Sequence, residues 1–508
     1  MADQDQDFQL SNVQGDILIG LSKITEIFYF FQITNPAAFQ SQLPNLTPLI
    51  TTADKATGEK EAIRAFKVRK QQKLSGIITG DVLPVVGVNI AFSQKGLVKL
   101  GVIPAGTDAL DEPLFAAGQK SDAFALADKG VGDSPEKFTP DWDEAFLQQT
   151  HEIHGVLLVT GGSFDMVNDK LDAIKAIFTV DNASSIAEVA TLAGDVRPGK
   201  EKGHEHFGYK DGISQPAIKG VDDVDGKKPL PGQTLVDLGV ALVGRGKDVE
   251  NHPKRAPWAK DGSFLAFRKL PQFVPEFDKF LVDNSKPIED DFPDAPNPAD
   301  ILGARMVGRW KSGAPLRITP LADDKELADD PLRNNKFKFN PDSQEMCPFA
   351  AHIRKMNPRK DLLKFGPSEA TVDPHLILRR GIPFGPEVTT EEKLTKRTKY
   401  ERGLYFVSYQ SDLQQGFSFL QKAWANNPAF PFPKNPGVEN FQPGFDPIIG
   451  QVHGEVRAMT GHNDDATDES LPLERQWVQS KGGEYFFSPS IKALRTVLAG
   501  QPEPTPTQ

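Results

Sequence analysis

Residues 207–216, FGYKDGISQP, place a single carboxylate, Asp211, between Gly208 and Gly212. Glycine adopts backbone angles that are closed to other residues, or lets the backbone approach a flat ligand closely. The segment therefore predicts a turn that holds Asp211 in a fixed pose. An ordinary Asp-Gly turn explains these residues equally well when they are taken alone. Two later segments favour a functional role.

Those two segments carry a histidine and a pair of arginines. Residues 347–359, CPFAAHIRKMNPR, set His352 in a small apolar run that is followed by three cations. A neutral imidazole in such a pocket suits a soft-to-borderline metal. Residues 375–385, HLILRRGIPFG, resemble an apolar strand that ends in Arg379 and Arg380. One Asp, one His and one Arg on separate loops could bind haem and cleave a peroxide.

Together these segments resemble the dye-decolorizing, or DyP-type, haem peroxidases, and the match is close to the fungal members. It extends to NVQGDIL at residues 12–18, LYFVSYQS at 404–411 and FDPIIGQ at 445–451. Motifs in order from residue 12 to about 451 cover most of the chain. The resemblance implies one haem b per chain, hydrogen peroxide as oxidant, and dyes, phenols or other aromatic compounds as reducing substrates. Mn(II) is a further candidate substrate.

The chemistry of haem and peroxide says what the three residues would do. Haem iron needs an axial ligand, and a neutral histidine leaves the opposite face open for peroxide; we expect His352 to be that ligand. Asp211 could move a proton between the two peroxide oxygens if it is ionised. Arg379 would keep the pKa of Asp211 low and stabilise the developing anionic oxygen.

The choice of Arg379 over Arg380 follows the family pattern. Strand alternation adds that adjacent arginines point in opposite directions, which leaves Arg380 as a surface cation or one that faces a propionate. Leu404 and Phe406, two residues apart, resemble the apolar pair that lines the peroxide side of the haem in this family, and they would suit a plain core equally well. The further predicted cofactor contacts are Ile213, Ser214 and Arg354.

The remaining histidines carry weaker signals. Residues 151–154, HEIH, and 204–206, HEH, have spacings that could bind a metal, but neither matches the helical zinc-protease pattern. Four others lack a ligand context and are expected on the surface or in the core: His252, His375, His453 and His462. A histidine that binds a metal usually passes its other nitrogen to a carboxylate or carbonyl. Glu439 and Asp446 are both candidates for that partner of His352.

Composition and length limit the alternatives. The chain has 508 residues, and its net charge of −11 argues against a nucleic-acid surface or anionic lipid. No apolar run approaches the roughly 20 residues of a membrane span. The first residues, MADQDQD, lack the regions of a secretory signal, whereas the resemblance implies an extracellular protein; a cytoplasmic one is the alternative. The single cysteine excludes an intramolecular disulfide.

The resemblance also implies an α+β fold. It predicts two ferredoxin-like domains, each an antiparallel sheet with packed helices, in a dimeric α+β barrel-like arrangement with haem in the C-terminal domain. We place the domains at residues 1–200 and 201–500, with a disordered tail at 501–508 and a homo-oligomer as a further expectation. The sequence patterns themselves predict strands and helices. The strands are expected at 26–33, 85–92, 155–160, 264–267 and 404–410, and the helices at 95–100, 164–178 and from 488 to 500.

Where a dye is too bulky to reach haem, a surface aromatic would pass the electrons instead. Trp424 resembles a tryptophan proposed for this role in relatives, although the spacing 417, 420, 424 is also that of a helix core face. Phe384 stands where the family has a tyrosine that is a proposed oxidation site. Trp424, Tyr405 and Tyr409 therefore become stronger candidates for that site. Two alternative functions stay open: a chlorite-dismutase-like haem enzyme, against which Asp211 argues, and a haem-binding or haem-transfer protein with little turnover.

Overall fold

The computed structural model describes residues 5–71, 83–291, 297–432, 441–463 and 469–502. Of the predicted disordered tail, residues 503–508 lie outside this range. No helix in the described ranges is long and apolar enough to cross a membrane.

One nine-stranded sheet organises the molecule, and all of its pairings are antiparallel. Its strands are β1 (Thr25–Ile33), β2 (Gly87–Phe92), β3 (Gly155–Gly161), β4 (Ile186–Asp195), β5 (Ser263–Pro271), β6 (Leu378–Arg379), β7 (Ile382–Phe384), β8 (Gly403–Gln410) and β9 (Gly483–Ser488). The predicted strands are confirmed, with ends that move by a few residues.

The sheet contains the same topology twice. Its order is β4-β1-β3-β2 in the first half and β9-β5-β8 followed by β6 and β7 in the second. Each half therefore has its fourth strand beside the first and its third beside the second, which is the ferredoxin-like order. The halves join where Phe92 of β2 pairs with Phe487 of β9. The predicted pair of ferredoxin-like domains is confirmed.

The sheet also curves back on itself. A Cβ placed on Gly194 of β4 would lie 2.5 Å from Ile382 Cγ2 of β7, so the two ends of the strand order are in close contact. Phenylalanines fill the space enclosed between the halves. Phe28 and Phe30 of β1 lie with their ring centroids 5.1 and 5.0 Å from that of Phe267 in β5. The two halves thus share a core inside a barrel-like sheet.

Helices cover the outer face of the sheet and fill the long connection between β5 and β6. The longer ones are α1 (Pro36–Leu46), α2 (Ala53–Gln71), α3 (Phe164–Ile177), α4 (Val274–Asp283) and α5 (Pro298–Val307). Short helices span Gly15–Leu18, Gln94–Lys99, Pro113–Ala117, Gln119–Asp122, Glu144–Leu147, Gly246–Asn251, Lys286–Asp291, Lys325–Asp329, His352–Met356, Ser368–Thr371, Thr390–Thr395, Phe417–Phe419 and Ile491–Arg495.

Capping serines explain where two of these helices begin. Ser163 accepts a hydrogen bond from the Met166 backbone N–H and caps α3, as expected for a helix with one apolar face. The final helix begins later than predicted, at Ile491, because Ser490 rather than Ser488 caps it. Gly500 follows in the left-handed conformation at φ +71°, as expected for the end of a helical segment.

Candidate active site

A cavity of about 290 Å³ lies in the second half of the molecule. The loop around Asp211, α5, the helix His352–Met356, β6 and β8 all contribute to its wall. The predicted site residues on the wall are Asp211, Ile213, Ser214, His352, Arg379, Leu404 and Phe406. Only the tertiary fold brings these separate segments together around one space.

The Asp211 turn has the backbone that its glycines predict. Gly208 and Gly212 have φ values of +95° and +78°, a region that L side chains rarely adopt. The Glu205 carboxylate accepts hydrogen bonds from the backbone N–H groups of Phe207 and Tyr209, both at 2.8 Å. The turn is therefore held from inside, and this fixes the position of Asp211.

Asp211 and Arg379 form an ion pair across 168 residues of sequence. Arg379 Nη1 donates to Asp211 Oδ1 at 2.6 Å, and the Gly212 N–H donates to the same oxygen at 2.6 Å. Oδ2 has no hydrogen-bond partner among the described residues. Partial desolvation of Asp211 alone would raise its pKa, but the Arg379 guanidinium outweighs this effect and keeps the pKa below its ordinary value. The carboxylate is thus an ionised group with one free oxygen.

The two adjacent arginines point in opposite directions, as strand alternation predicts. The Arg380 guanidinium donates to the carbonyls of Asp16 at 2.7 Å and Leu18 at 2.9 Å, at the end of the helix Gly15–Leu18. A cation suits the carbonyl end of a helix. Arg380 therefore connects the site to the first half of the chain. It is neither a free surface cation nor part of the cavity wall.

His352 is backed by a carboxylate. Its Nδ1 lies 2.8 Å from Asp446 Oδ2, and Asp446 Oδ1 accepts from the backbone N–H groups of Ile448 and Ile449. Burial alone would lower the pKa of His352, but the Asp446 carboxylate raises it above its ordinary value. With Nδ1 engaged, Nε2 is the nitrogen with no hydrogen-bond partner in the described ranges. Of the two predicted partners, Asp446 makes this contact, and Glu439 lies outside the described residues.

The prediction for Arg354 needs correction. Its side chain is only 1% exposed and does not line the cavity. It forms two hydrogen bonds with the Asp361 carboxylate, at 2.7 and 3.0 Å, and donates to the Cys347 carbonyl at 2.6 Å. Arg354 instead connects the loop before His352 to the segment after it. Spacing alone could not separate it from the neighbouring cations.

Arg309 and Arg359 also line the cavity, and sequence reasoning missed their role. Arg309 donates to the carbonyls of Gly313 at 2.9 Å and Asn334 at 2.7 Å, and Arg359 donates to those of Asn335 and Phe337. Neither has a carboxylate partner among the described residues. Burial lowers the pKa of Arg309 to about 9 and that of Arg359 to about 10. Buried cations paired only with neutral groups favour an anionic ligand.

The prediction of Trp424 as a surface residue is also corrected. Its indole is 3% exposed and stacks on Phe430 with a centroid distance of 4.9 Å. It lies in the π-helical segment Leu420–Ala425, so the alternative interpretation of its spacing as a core face was the better one. Tyr405 and Tyr409 are buried too. His375, expected on the surface or in the core, is a core residue stacked on Phe419 and reaches the cavity wall.

The weaker histidine motifs have structural roles. His154 Nδ1 accepts from the Ile33 N–H at 2.9 Å, and His206 Nε2 lies 2.8 Å from the Phe384 carbonyl. Burial lowers the pKa of His206 to about 4, which keeps it neutral. His252 lies between two carboxylates, Asp111 and Asp412. No group of three or more His, Cys, Asp or Glu side chains within the described ranges could hold a metal ion.

Comparison with known proteins agrees with this geometry. A family model described as the DyP dimeric alpha+beta barrel domain matches residues 12–198, and one described as Dyp-type peroxidase, C-terminal matches residues 305–430. A dye-decolorizing peroxidase of Exidia glandulosa is 44% identical over 495 residues, which cover 96% of this chain and 87% of that protein.

Solved structures agree as well. An ancestral D-type dye decolorizing peroxidase has a TM-score of 0.86 at 50% identity, covering 97% of this chain and 99% of that chain. A fungal DyP-type peroxidase from Auricularia auricula-judae has a TM-score of 0.80 at 40% identity, with 97% and 100% covered. The fold and these matches define an α+β haem peroxidase. The chain belongs to the dye-decolorizing, or DyP-type, peroxidase family.

The residues around the cavity fit the haem cofactor of this family. His352 offers a free Nε2 and a carboxylate on its other nitrogen, which is the usual arrangement of a metal-binding imidazole. Leu404, Phe406 and neighbouring apolar side chains supply walls for a flat macrocycle. The buried guanidiniums of Arg309 and Arg359 suit the carboxylates at the edge of a haem. Peroxide and reducing substrates such as dyes follow from the family.

Proposed function

We propose that this chain is a haem b peroxidase with one haem per chain, in which His352 would bind the iron and Asp211 and Arg379 would process the peroxide. The observation that carries the proposal is the ion pair of Asp211 and Arg379 on the wall of the same cavity as the carboxylate-backed His352. Haem iron supplies the redox chemistry, taking two electrons from reducing substrates for each peroxide.

His352 would bind iron through Nε2. Asp446 accepts a hydrogen bond from the Nδ1–H of His352, so it fixes both the ring orientation and the tautomer that leaves Nε2 free. Its own carboxylate is held by two backbone N–H groups, which oppose any rotation of the pair. Arg309 and Arg359 would bind the haem carboxylates, and Ile213, Ser214, Leu404 and Phe406 would contact its faces or edge.

Asp211 would move the proton. Oδ1 is engaged by Arg379 and Gly212, whereas Oδ2 is free to accept a proton from peroxide and return it to the leaving oxygen. The side chain is 41% exposed while lining the cavity, so a small molecule or one water can reach it. The pKa of Asp211, lowered by the Arg379 guanidinium, favours the ionised carboxylate.

Arg379 has two tasks in this proposal. Its positive charge stabilises the ionised form of Asp211, and the same charge stabilises the negative charge that develops as the peroxide bond breaks. Arg379 needs little reorganisation during the reaction. The loop at residues 211–215 already binds its backbone N–H and both of its Nη atoms. The sources of electrons would be dyes and phenolic or other aromatic compounds.

Stopped-flow absorption tests this proposal directly. Haem-reconstituted protein is mixed with one equivalent of hydrogen peroxide, and the loss of the resting Soret band is timed for the wild type and for Asp211→Asn. We expect the variant to keep the resting spectrum and to react on the order of 10² to 10⁴ times more slowly. Asp223→Asn, an exposed carboxylate that accepts the Gly220 N–H, is the matched control and should react normally.

Each outcome has a clear meaning. An unchanged rate in Asp211→Asn would remove Asp211 from the proton transfer. No Soret change in the wild type, with haem bound, would favour the haem-binding or haem-transfer alternative. Adding Mn(II) as the only reductant would test that substrate, for which the described residues contain no ready-made metal cluster.

A further inference from the structure

Gln215 holds the backbone of Arg379 with both ends of its carboxamide. Gln215 Oε1 accepts the Arg379 N–H at 3.1 Å, and Gln215 Nε2 donates to the Arg379 carbonyl at 3.0 Å. Gln215 itself does not line the cavity. Any effect it has on the chemistry therefore passes through Arg379.

The position of Arg379 in the sheet explains why such a clamp is needed. β6 pairs with β8 on one side only, and the Arg380 N–H donates to the Val407 carbonyl of β8 at 2.7 Å. Successive N–H groups of a strand point in opposite directions, so the Arg379 N–H points away from β8. Such a group needs a partner once it is buried. The Gln215 carboxamide supplies the donor and the acceptor that a further strand would have provided.

The same short loop holds the Arg379 side chain. Asp211 binds Nη1 at 2.6 Å, and the Ser214 carbonyl lies 3.4 Å from Nη2. Gln215, in the same loop, binds the backbone of Arg379. The Gln215 carbonyl is in turn held by Gln233 Nε2 at 3.1 Å. Backbone and guanidinium of Arg379 are thus set by one loop of five residues, 211–215.

We propose that Gln215 is a positioning residue for the peroxide reaction: its bidentate carboxamide fixes the Arg379 backbone so that the guanidinium stays in register with Asp211. The inference rests on the proposed function of Asp211 and Arg379. Without the clamp, the last residue of a two-residue edge strand could shift relative to the loop. A lengthened ion pair would stabilise the Asp211 carboxylate less, and the guanidinium would no longer be fixed for the developing oxyanion.

Hydrogen exchange of the haem-free protein tests the clamp without any activity measurement. In Gln215→Leu, which is similar in size but cannot form either hydrogen bond, we expect the Arg379 amide to exchange at least about fivefold faster. The Arg380 amide, bound to Val407, is the internal reference and should keep its protection. Equal protection of the Arg379 amide in wild type and variant would overturn the proposal.

Kinetics of the haem-reconstituted protein test the consequence. We expect Gln215→Leu to slow the peroxide step by on the order of 10- to 100-fold and to move the acidic limb of its pH profile to higher pH, because Asp211 loses stabilisation of its charged form. A merely structural role would lower the Tm and leave the pH profile in place, which would also overturn the proposal. Gln40→Leu, which removes a glutamine hydrogen bond to the Leu100 carbonyl far from β6, is the matched control.

A second variant and a parallel measurement of Asp211→Asn keep the two proposals distinguishable. If Gln215→Leu does not fold, Gln215→Met removes both hydrogen bonds with an uncharged, unbranched side chain. The same pH shift is expected in Gln215→Met, and a wild-type profile would count against the clamp. Asp211→Asn is measured alongside. A slow Asp211→Asn with a normal Gln215→Leu refutes only the role of Gln215, whereas a normal Asp211→Asn refutes the proposed role of Asp211, on which the inference rests.

Discussion

The cavity has two functional sides that are built in different ways. The histidine side consists of His352 and Asp446, and Asp446 is fully buried and held by backbone N–H groups. The arginine side consists of Asp211 and Arg379, whose side chains remain 41% and 33% exposed. A buried carboxylate held by the backbone fixes the His352 imidazole, which is itself 29% exposed, whereas an accessible ion pair can meet a small molecule that brings protons. The histidine side is therefore suited to holding a cofactor, and the arginine side is suited to acting on a peroxide.

The largest effect is expected from removing the ligand of the histidine side. His352→Ala should reduce haem affinity by at least about 100-fold, because the protein loses its only carboxylate-backed imidazole on the described cavity wall. Titration of the haem-free protein with haem, followed at the Soret band, measures this. His375→Ala is the matched control, since His375 also reaches the cavity but stacks on Phe419. Normal binding by His352→Ala, with loss in the control, would reverse the assignment.

The next largest effect is expected on the arginine side. Arg379→Leu should keep haem but slow the peroxide step by on the order of 10² to 10³. The loss should be greatest at acidic pH: Arg379 keeps the Asp211 pKa below its ordinary value, so its removal raises that pKa and protonates the base as the pH falls. Stopped-flow rates between pH 3 and 7, about the range of carboxyl titration, measure both effects. A uniform loss at every pH would contradict the role in tuning Asp211.

A smaller effect is expected when the carboxylate behind the ligand is neutralised. Asp446→Asn should weaken haem binding by about 10- to 100-fold and raise the reduction potential, because His352 becomes a less basic ligand. Haem titration and potentiometry measure these changes. Asp361→Asn is the control, because it breaks the buried pair with Arg354, which lies on the same helix as His352. This variant should lower the Tm but leave haem affinity unchanged. An equal loss of haem affinity in both variants would show that haem binding depends on the intact helix and not on the Asp446 carboxylate.

The smallest effect is expected at Trp424. Because its indole is buried against Phe430, we expect Trp424→Phe to leave turnover of a bulky dye nearly unchanged. Dye turnover and the peroxide rate are compared in the same preparation. A large loss of dye turnover with a normal peroxide rate would show that electrons leave through this indole despite its burial.

Short-range patterns predicted a large part of this molecule. Strand β3 and helix α3 lie within one residue of the bounds predicted from their sequence patterns, and the glycines around Asp211 required the turn that forms. Opposite directions for Arg379 and Arg380 followed from strand geometry alone. The two ferredoxin-like domains were different: no sequence repeat marks them, and only the family resemblance pointed to their shared strand order.

By itself, the sequence determined which residue types stand in each local segment, and hence the turn, the strands and the candidate residues Asp211, His352 and Arg379. The tertiary structure alone decided which neighbouring cation faces the cavity, which carboxylate supports His352, and that Trp424 is buried. These outcomes depend on contacts between residues far apart in the chain, such as the 94 residues between His352 and Asp446. Local propensity carries no information about such contacts, because they form only when packing closes the barrel and the long connection folds over it.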